Sequence, residues 1–318
     1  MVASLQKRWR LDGETRVPWI DLALFAGLVV LILAGAWFAE SFLTQRNFSN
    51  LLRQIVANGL VSLGMLIVIL TGGIDLSVGS IVALGGVLFA GMTDQIGMGP
   101  AILVAMAAGT AVGIVNGVVI ARFKLQPFIV TLATMGVVRG LVYIYTESPI
   151  VPAHPGFRDL GSSVVGLVSV GMIIMLVCYA LGWFFLNRTT VGRATVAIGG
   201  NEEAVRLAGI NVSRTIVVAY ALCGLLSALS GAILVSRLGI AQPSLGVAYE
   251  LDAIAACVIG GAVLGGGGGG VIGTFFGVLT LGLINNLLNL LGVRSYYQEI
   301  VKGSLIILAV LVASRKAR

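Results

Sequence analysis

Apolar stretches of about 20 residues recur along this chain from Ile20 to Val312. A helix of that length covers a hydrocarbon layer roughly 30 Å thick, so the pattern describes a polytopic membrane protein. Hydrophobic residues make up 58% of the 318 and charged residues only 10%, against roughly 25% charged in soluble domains. Ten spans are predicted, at about 20–39, 55–71, 77–93, 98–121, 126–147, 162–187, 215–236, 250–264, 271–290 and 297–314. The expected fold is therefore all-α. Residues 1–19 form an N-terminal segment, 20–314 one transmembrane domain, and 188–214 the longest polar loop within it.

An even number of spans puts both termini on one side. With the termini in the cytoplasm, thirteen basic residues fall inside and five outside, and Arg139 and Lys302 lie within spans. The excess of inner positive charge sets this orientation. The net charge of +7 is thus spent at span ends. No basic face interleaved with aromatics exists to bind nucleic acid. Lys7, Arg8, Arg10 and Arg16 precede the first apolar run as in a signal peptide, but that run is about 20 residues long and no small-residue cleavage site follows, so it reads as an uncleaved span.

Several chemistries are disfavoured by what the chain lacks. Cys178, Cys223 and Cys257 lie singly in apolar segments, and His154 is the only histidine. Neither a disulfide framework nor a zinc site is implied. No nucleophile clusters with a base, which argues against an intramembrane enzyme.

The run 71–80, Thr-Gly-Gly-Ile-Asp-Leu-Ser-Val-Gly-Ser, interrupts an apolar region with glycines, the carboxylate of Asp75 and the hydroxyl of Ser77. Broken backbone at membrane depth is tolerated where protein or water satisfies it, and an acidic residue there faces inward. Asp75 is read either as a cap for a helix beginning near Leu76 or as a lining residue of a polar route, and the two roles are compatible. Arg139 and Lys302 are each expected to find a partner or water, because a charge at a helix centre facing lipid costs roughly 2.5 to 3.5 kcal/mol. Asn116, Asn285, Asn286 and Asn289 could line the route or bond between helices, with interhelical bonding expected for at least half. Gly113 and Gly117 form a small-xxx-small pair suited to close helix approach. Among the loops, 147–161 is the longest outer one and holds Pro149, Pro152 and Pro155. It reads as a docking surface or as a passive connector.

The order of unusual features recurs. Asp75, Gly85 and Gly86, Asn116 and Pro127 in the first part are echoed by Asp252, Gly260 and Gly261, Asn285 and Asn286, and Tyr297 in the second. On the predicted topology the blocks are spans two to five and seven to ten, which makes the repeat inverted, as in many transporters. Coincidence of composition is the competing explanation.

Residues 71–80 together with 249–256, Tyr-Glu-Leu-Asp-Ala-Ile-Ala-Ala, resemble the ribose-type sugar permeases of bacterial ATP-binding-cassette importers. The resemblance extends through 126–132 with Arg139 and Gly140, 197–212, Gln242 and Pro243, and the tail from Asn285 to Lys302. It covers roughly residues 50–314. It implies a bacterial inner-membrane subunit that pairs with a second copy or a homologous permease. It also implies two cytoplasmic ATPase domains and a periplasmic sugar-binding protein. ATP and its Mg would be bound by the ATPases, since the glycine run 265–270 lacks the lysine and hydroxyl of a phosphate loop and this chain needs no cofactor of its own. That run departs from the family pattern, in which a basic residue often interrupts the turn.

Within 188–214, Asn201 is placed to cap a short helix, Glu202 and Glu203 suit its positive end, Glu202 reaches Arg206 four residues on, and Gly209 ends it. Similarity to ABC permeases makes this helix the ATPase contact, with Asn201, Glu202, Glu203, Ala204, Arg206 and Gly209 as its residues; a plain amphipathic connector is the alternative. Asp75, Ser77, Asn116, Arg139, Asn285 and Asn286 are the candidate pathway residues. The function expected is import of a monosaccharide by alternating access. An ion-coupled secondary transporter or a channel for a small polar solute is the alternative. Which sugar is carried the residues leave open.

Overall fold

The computed structural model describes residues 18–165, 168–294, 296–304 and 307. The N-terminal and C-terminal basic clusters, and the end of the tenth expected span, lie outside them. In chain order the helices are α1 (Pro18–Phe38), α2 (Gln45–Leu70), α3 (Val78–Ile96), α4 (Met98–Phe123), α5 (Pro127–Tyr145), α6 (Asp159–Ser162), α7 (Val170–Arg188), α8 (Thr190–Gly200), α9 (Glu202–Leu207), α10 (Val212–Leu238), α11 (Tyr249–Ile259) and α12 (Val271–Leu290). Residues 296–304 are helical again. A two-residue hairpin, β1 (Val164–Val165) with β2 (Val168–Ser169), precedes α7.

Among the described residues seven helices, α2, α3, α4, α5, α7, α10 and α12, are long and apolar enough to cross a membrane. The chain is thus an all-helical, multi-pass membrane protein. The eighth expected span, 250–264, is cut short: α11 has 11 residues, about 16 Å at 1.5 Å per residue, roughly half a bilayer. Gly260 ends it, and Gly261, with φ 87°, turns the chain into the glycine run.

The layout follows from packing rather than from hydrophobicity, which cannot sort helices in a solvent as apolar as their own side chains. α2, α3 and α10 form the centre, while α4, α5 and α7 leave most of their surface outward. Leu103, Ile129, Ile144 and Leu181 are exposed apolar side chains on those outer helices. What binds α4 to the centre is a row of glycines one turn apart: a methyl on Gly109 would meet the Gly224 carbonyl, on Gly113 the Tyr220 carbonyl, and on Gly117 the Val217 Cα at 2.6 Å. The small-xxx-small pair expected from the sequence, Gly113 and Gly117, supplies two of the three glycines of this crossing with α10.

One end of the bundle is tied by loop contacts. Ile150 and Ala241 form an antiparallel bridge with both bonds at 2.9 Å. The Asp94 carboxylate accepts from the amides of Ala153 and His154, each at 2.9 Å. The proline-containing loop 147–161 is therefore pinned to α3 and to the segment after α10.

Candidate translocation and coupling sites

Between α2 and α3 the backbone leaves helical geometry at Gly72, whose φ is 84°. The freed polar groups are taken up by three neighbouring helices. The Ile74 carbonyl accepts from the Thr131 hydroxyl of α5 at 3.2 Å and from the Tyr220 hydroxyl of α10 at 3.4 Å. Asp75 Oδ1 accepts from the Ser77 amide at 2.9 Å and from the Ser77 hydroxyl at 2.5 Å. Ser77 Oγ accepts from the Asn116 amide of α4 at 3.0 Å, and Asn116 Oδ1 accepts from the Thr134 hydroxyl of α5 at 2.7 Å. This is how irregular backbone survives at membrane depth: its donors and acceptors are met by protein.

Asp75 caps a turn rather than the helix expected near Leu76. α3 begins at Val78, and its N-cap, Ser77, makes no side-chain capping bond. Asp75, Ser77 and Asn116 are fully buried within the single chain. Asp75 Oδ2 is buried without a hydrogen-bond partner among the described residues.

A second irregular stretch, 239–248, links α10 to the short α11. Arg139, projecting from α5, donates to the carbonyls of Pro243 and, at 2.9 Å, Leu245. A mid-span guanidinium thus finds backbone oxygens that no helix uses. Close by, Gly79 of α3 and Gly246 touch backbone to backbone, each leaving no room for a methyl on the other. Lys302 pairs with Asp252 of α11 at 3.1 Å.

The structure brings Asp75, Ser77 and Asn116 into one network, and Arg139, Asn285 and Asn286 stand apart from it. Asn286 pairs with Asn47 of α2. Asn285 is partly buried, and its side-chain oxygen is without a partner among the described residues. Asn289 accepts from Gln298 at 2.8 Å. Three of the four asparagines therefore make interhelical or inter-segment bonds. Thr131, Thr134, Tyr220 and Asn47 were not foreseen. The two threonines, one turn apart on an apolar helix, carried a usable signal; Asn47 and Tyr220 carried none.

The polar loop folds as its residues dictate. Asn201 Oδ1 accepts from the Ala204 amide at 2.9 Å, opening α9. Arg206 forms ion pairs with Glu202 and Glu203 on the exposed face. At the other end Gly209, with φ 78°, donates to Arg206 at 3.0 Å, and Ile210 donates to Val205 at 3.3 Å. That pair of bonds is the Schellman termination, in which a left-handed glycine lets the chain turn back on the last carbonyls. Val205 packs with Ile198 of α8 and Val212 of α10 in a small buried cluster, so one side of α9 is fastened while Glu202, Glu203, Ala204, Arg206 and Gly209 stay outside. A cavity of about 680 Å³ opens between α9 and the interruption after α2, lined by Glu202, Arg206, Lys124, Thr71, Gly73 and Tyr220 among others.

The family described as "Branched-chain amino acid transport system / permease component" matches residues 47–310. The chain belongs to this permease family. The ribose import permease protein RbsC of Bacillus subtilis (strain 168) is 48% identical over 317 residues, 98% of this chain and 97% of that protein. RbsC of Escherichia coli (strain K12) is 44% identical, covering 98% of this chain and 96% of its own. The L-arabinose ABC transporter permease protein AraH of Azospirillum brasilense is 36% identical across 95% of this chain and 88% of its own. No solved structure matches. As a permease component the chain is a transport subunit, with no catalytic role.

Proposed function

We propose that this permease is the translocating subunit of an ATP-binding-cassette importer that brings ribose or a closely related monosaccharide across the bacterial inner membrane. The observation that carries the reading is the capped, Schellman-terminated helix α9, fastened through Val205 to α8 and the start of α10 with its charged face exposed. A channel or ion-driven carrier has no need of such a rigid polar projection. The near full-length likeness to ribose import permeases supports the choice of solute.

In this reading both termini and α8 to α9 lie in the cytoplasm, and the chain crosses ten times. α1 makes the first crossing, the irregular stretch 239–248 with α11 the eighth, and the segment from residue 296 the last. Spans two to five and seven to ten form an inverted repeat, supported by an irregular, polar-tethered stretch ahead of both α3 and α11. The chain pairs with a second copy or a homologous permease, two cytoplasmic ATPase domains and a periplasmic sugar-binding protein. ATP and Mg²⁺ are bound on the ATPases, whose closure moves α9 through Asn201, Glu202, Glu203, Ala204, Arg206 and Gly209. Arg139 and Asn285 line the route for the sugar. Asp75, Ser77, Asn116 and Asn286 brace the helices that reorient around it.

Reconstitution in vesicles with the ATPase and binding protein tests the reading. Uptake of ribose is expected to require ATP and the ATPase and to ignore imposed ion gradients. Gly209→Trp is expected to leave the subunit inserted while separating ATP hydrolysis from uptake. Uptake persisting without the ATPase, or unchanged in Gly209→Trp, refutes it.

A further inference from the structure

Three segments distant in sequence meet beside α9 with no side chain between them. They are the end of α2 with Gly72, the end of α8, and the glycine run that joins α11 to α12. The Gly267 amide donates to the Leu70 carbonyl at 3.1 Å. A methyl on Gly199 would overlap that same carbonyl and the Gly267 nitrogen, and would come within 2.7 Å of Gly266 Cα. A methyl on Gly266 would lie 2.6 Å from Gly199 Cα and 2.8 Å from the Gly72 nitrogen. Gly266 and Gly267 have φ of 90° and 71°, a region side chains other than glycine occupy only at a cost. The run of glycines is therefore matched to a place where three backbones touch.

Backbone in contact with backbone has little give. A side chain absorbs a displacement by changing rotamer, whereas packed main chain passes it on or breaks the contact. Gly199 stands two residues before Asn201, the cap of α9. Gly266 and Gly267 lie between α11 and α12, and Leu70 and Gly72 open the interruption before α3. We propose that Gly199, Gly266 and Gly267 are positioning residues that carry the movement of α9 to the interruption after α2 and to the link between α11 and α12 at once. The inference rests on the reading of α9 as the ATPase contact. It adds a route from that contact to the two sets of helices, one from each block of the repeat.

The test uses the complete importer in vesicles, with uptake per ATP hydrolysed as the readout. Gly199→Ala is expected to assemble and hydrolyse ATP, with uptake per ATP lowered about tenfold. Gly200→Ala, where a methyl meets nothing within 4 Å, is expected to match the unaltered protein. Equal ratios in the two assembled variants overturn the proposal. Hydrogen exchange on the unaltered complex, with and without ATP, decides the matter even if Gly199→Ala fails to assemble. Protection is expected to change together in 196–208, 66–76 and 262–272. A change in 196–208 alone overturns the relay but leaves α9 as the ATPase contact. No change in 196–208 overturns both.

Discussion

Asn47 and Asn286 exchange hydrogen bonds: the Asn47 amide donates to Asn286 Oδ1 at 3.0 Å and the Asn286 amide donates back to Asn47 Oδ1 at 2.8 Å. The pair clasps the start of α2 to α12 across 239 residues of sequence. Both side chains are buried, so each is the other's replacement for water. Asn47→Leu strands both polar atoms of the Asn286 amide, whereas Asn286→Leu strands Asn47 Oδ1 and leaves the Asn47 amide nitrogen its bond to the Phe42 carbonyl at 2.9 Å. A loss of about 1 kcal/mol is expected for each single variant, with the double variant less destabilised than the sum of the two. Thermal unfolding of the detergent-solubilised protein, arranged as a double-mutant cycle, measures this. Strict additivity would show that the pair contributes nothing.

Gly113→Val tests the crossing of α4 with α10. The added carbons would run into the Tyr220 carbonyl, so the helices must separate along a row of contacts. A destabilisation of about 1 to 3 kcal/mol or more is expected from overpacking. Gly136→Val on α5, with nothing within 4 Å, serves as the comparison and should stay within about 0.5 kcal/mol of the parent.

Arg206→Ala separates the folding of α9 from its use. Its two ion pairs are solvent-exposed, and exposed pairs contribute about 0.3 to 0.5 kcal/mol. The unfolding temperature is therefore expected to hold while uptake falls several-fold. An equal loss in both would assign Arg206 to the fold alone.

Arg139→Leu removes the donors that hold the Pro243 and Leu245 carbonyls. Faster amide exchange through 240–248 is expected, together with reduced uptake. Arg139→Lys, a single ammonium without the guanidinium fork, is expected to fall between. Unaltered exchange in Arg139→Leu would show that the stretch is held by the Gly79 to Gly246 contact instead.

Much of the site was legible where a local rule applied. Asn201, Glu202, Arg206 and Gly209 each act on a partner three or four residues away, so capping, charge spacing and left-handed glycine preference announce α9 without reference to the rest of the chain. The glycine row of α4 was legible for the same reason, through Gly113 and Gly117. Long-range relations were not. Nothing near Arg139 says that its oxygens come from Pro243 and Leu245, and nothing near Asn47 names Asn286. The length of α11 was misjudged because Ala262, Val263 and Leu264 are as apolar as the helix before them. Gly260 and Gly261 end it by conformation, a cue that hydropathy does not register.

The uneven burial of the helices has a consequence for how sequences of this kind drift. α4, α5 and α7 turn broad surfaces outward, and such positions accept nearly any oily residue of suitable bulk. α2 and α10 are mostly buried, and at their close contacts, such as Gly64 and Gly224, a single extra carbon meets another chain segment. Homologous sequences should therefore diverge fastest along the outer helices and slowest along these two, even at positions far from any sugar or nucleotide.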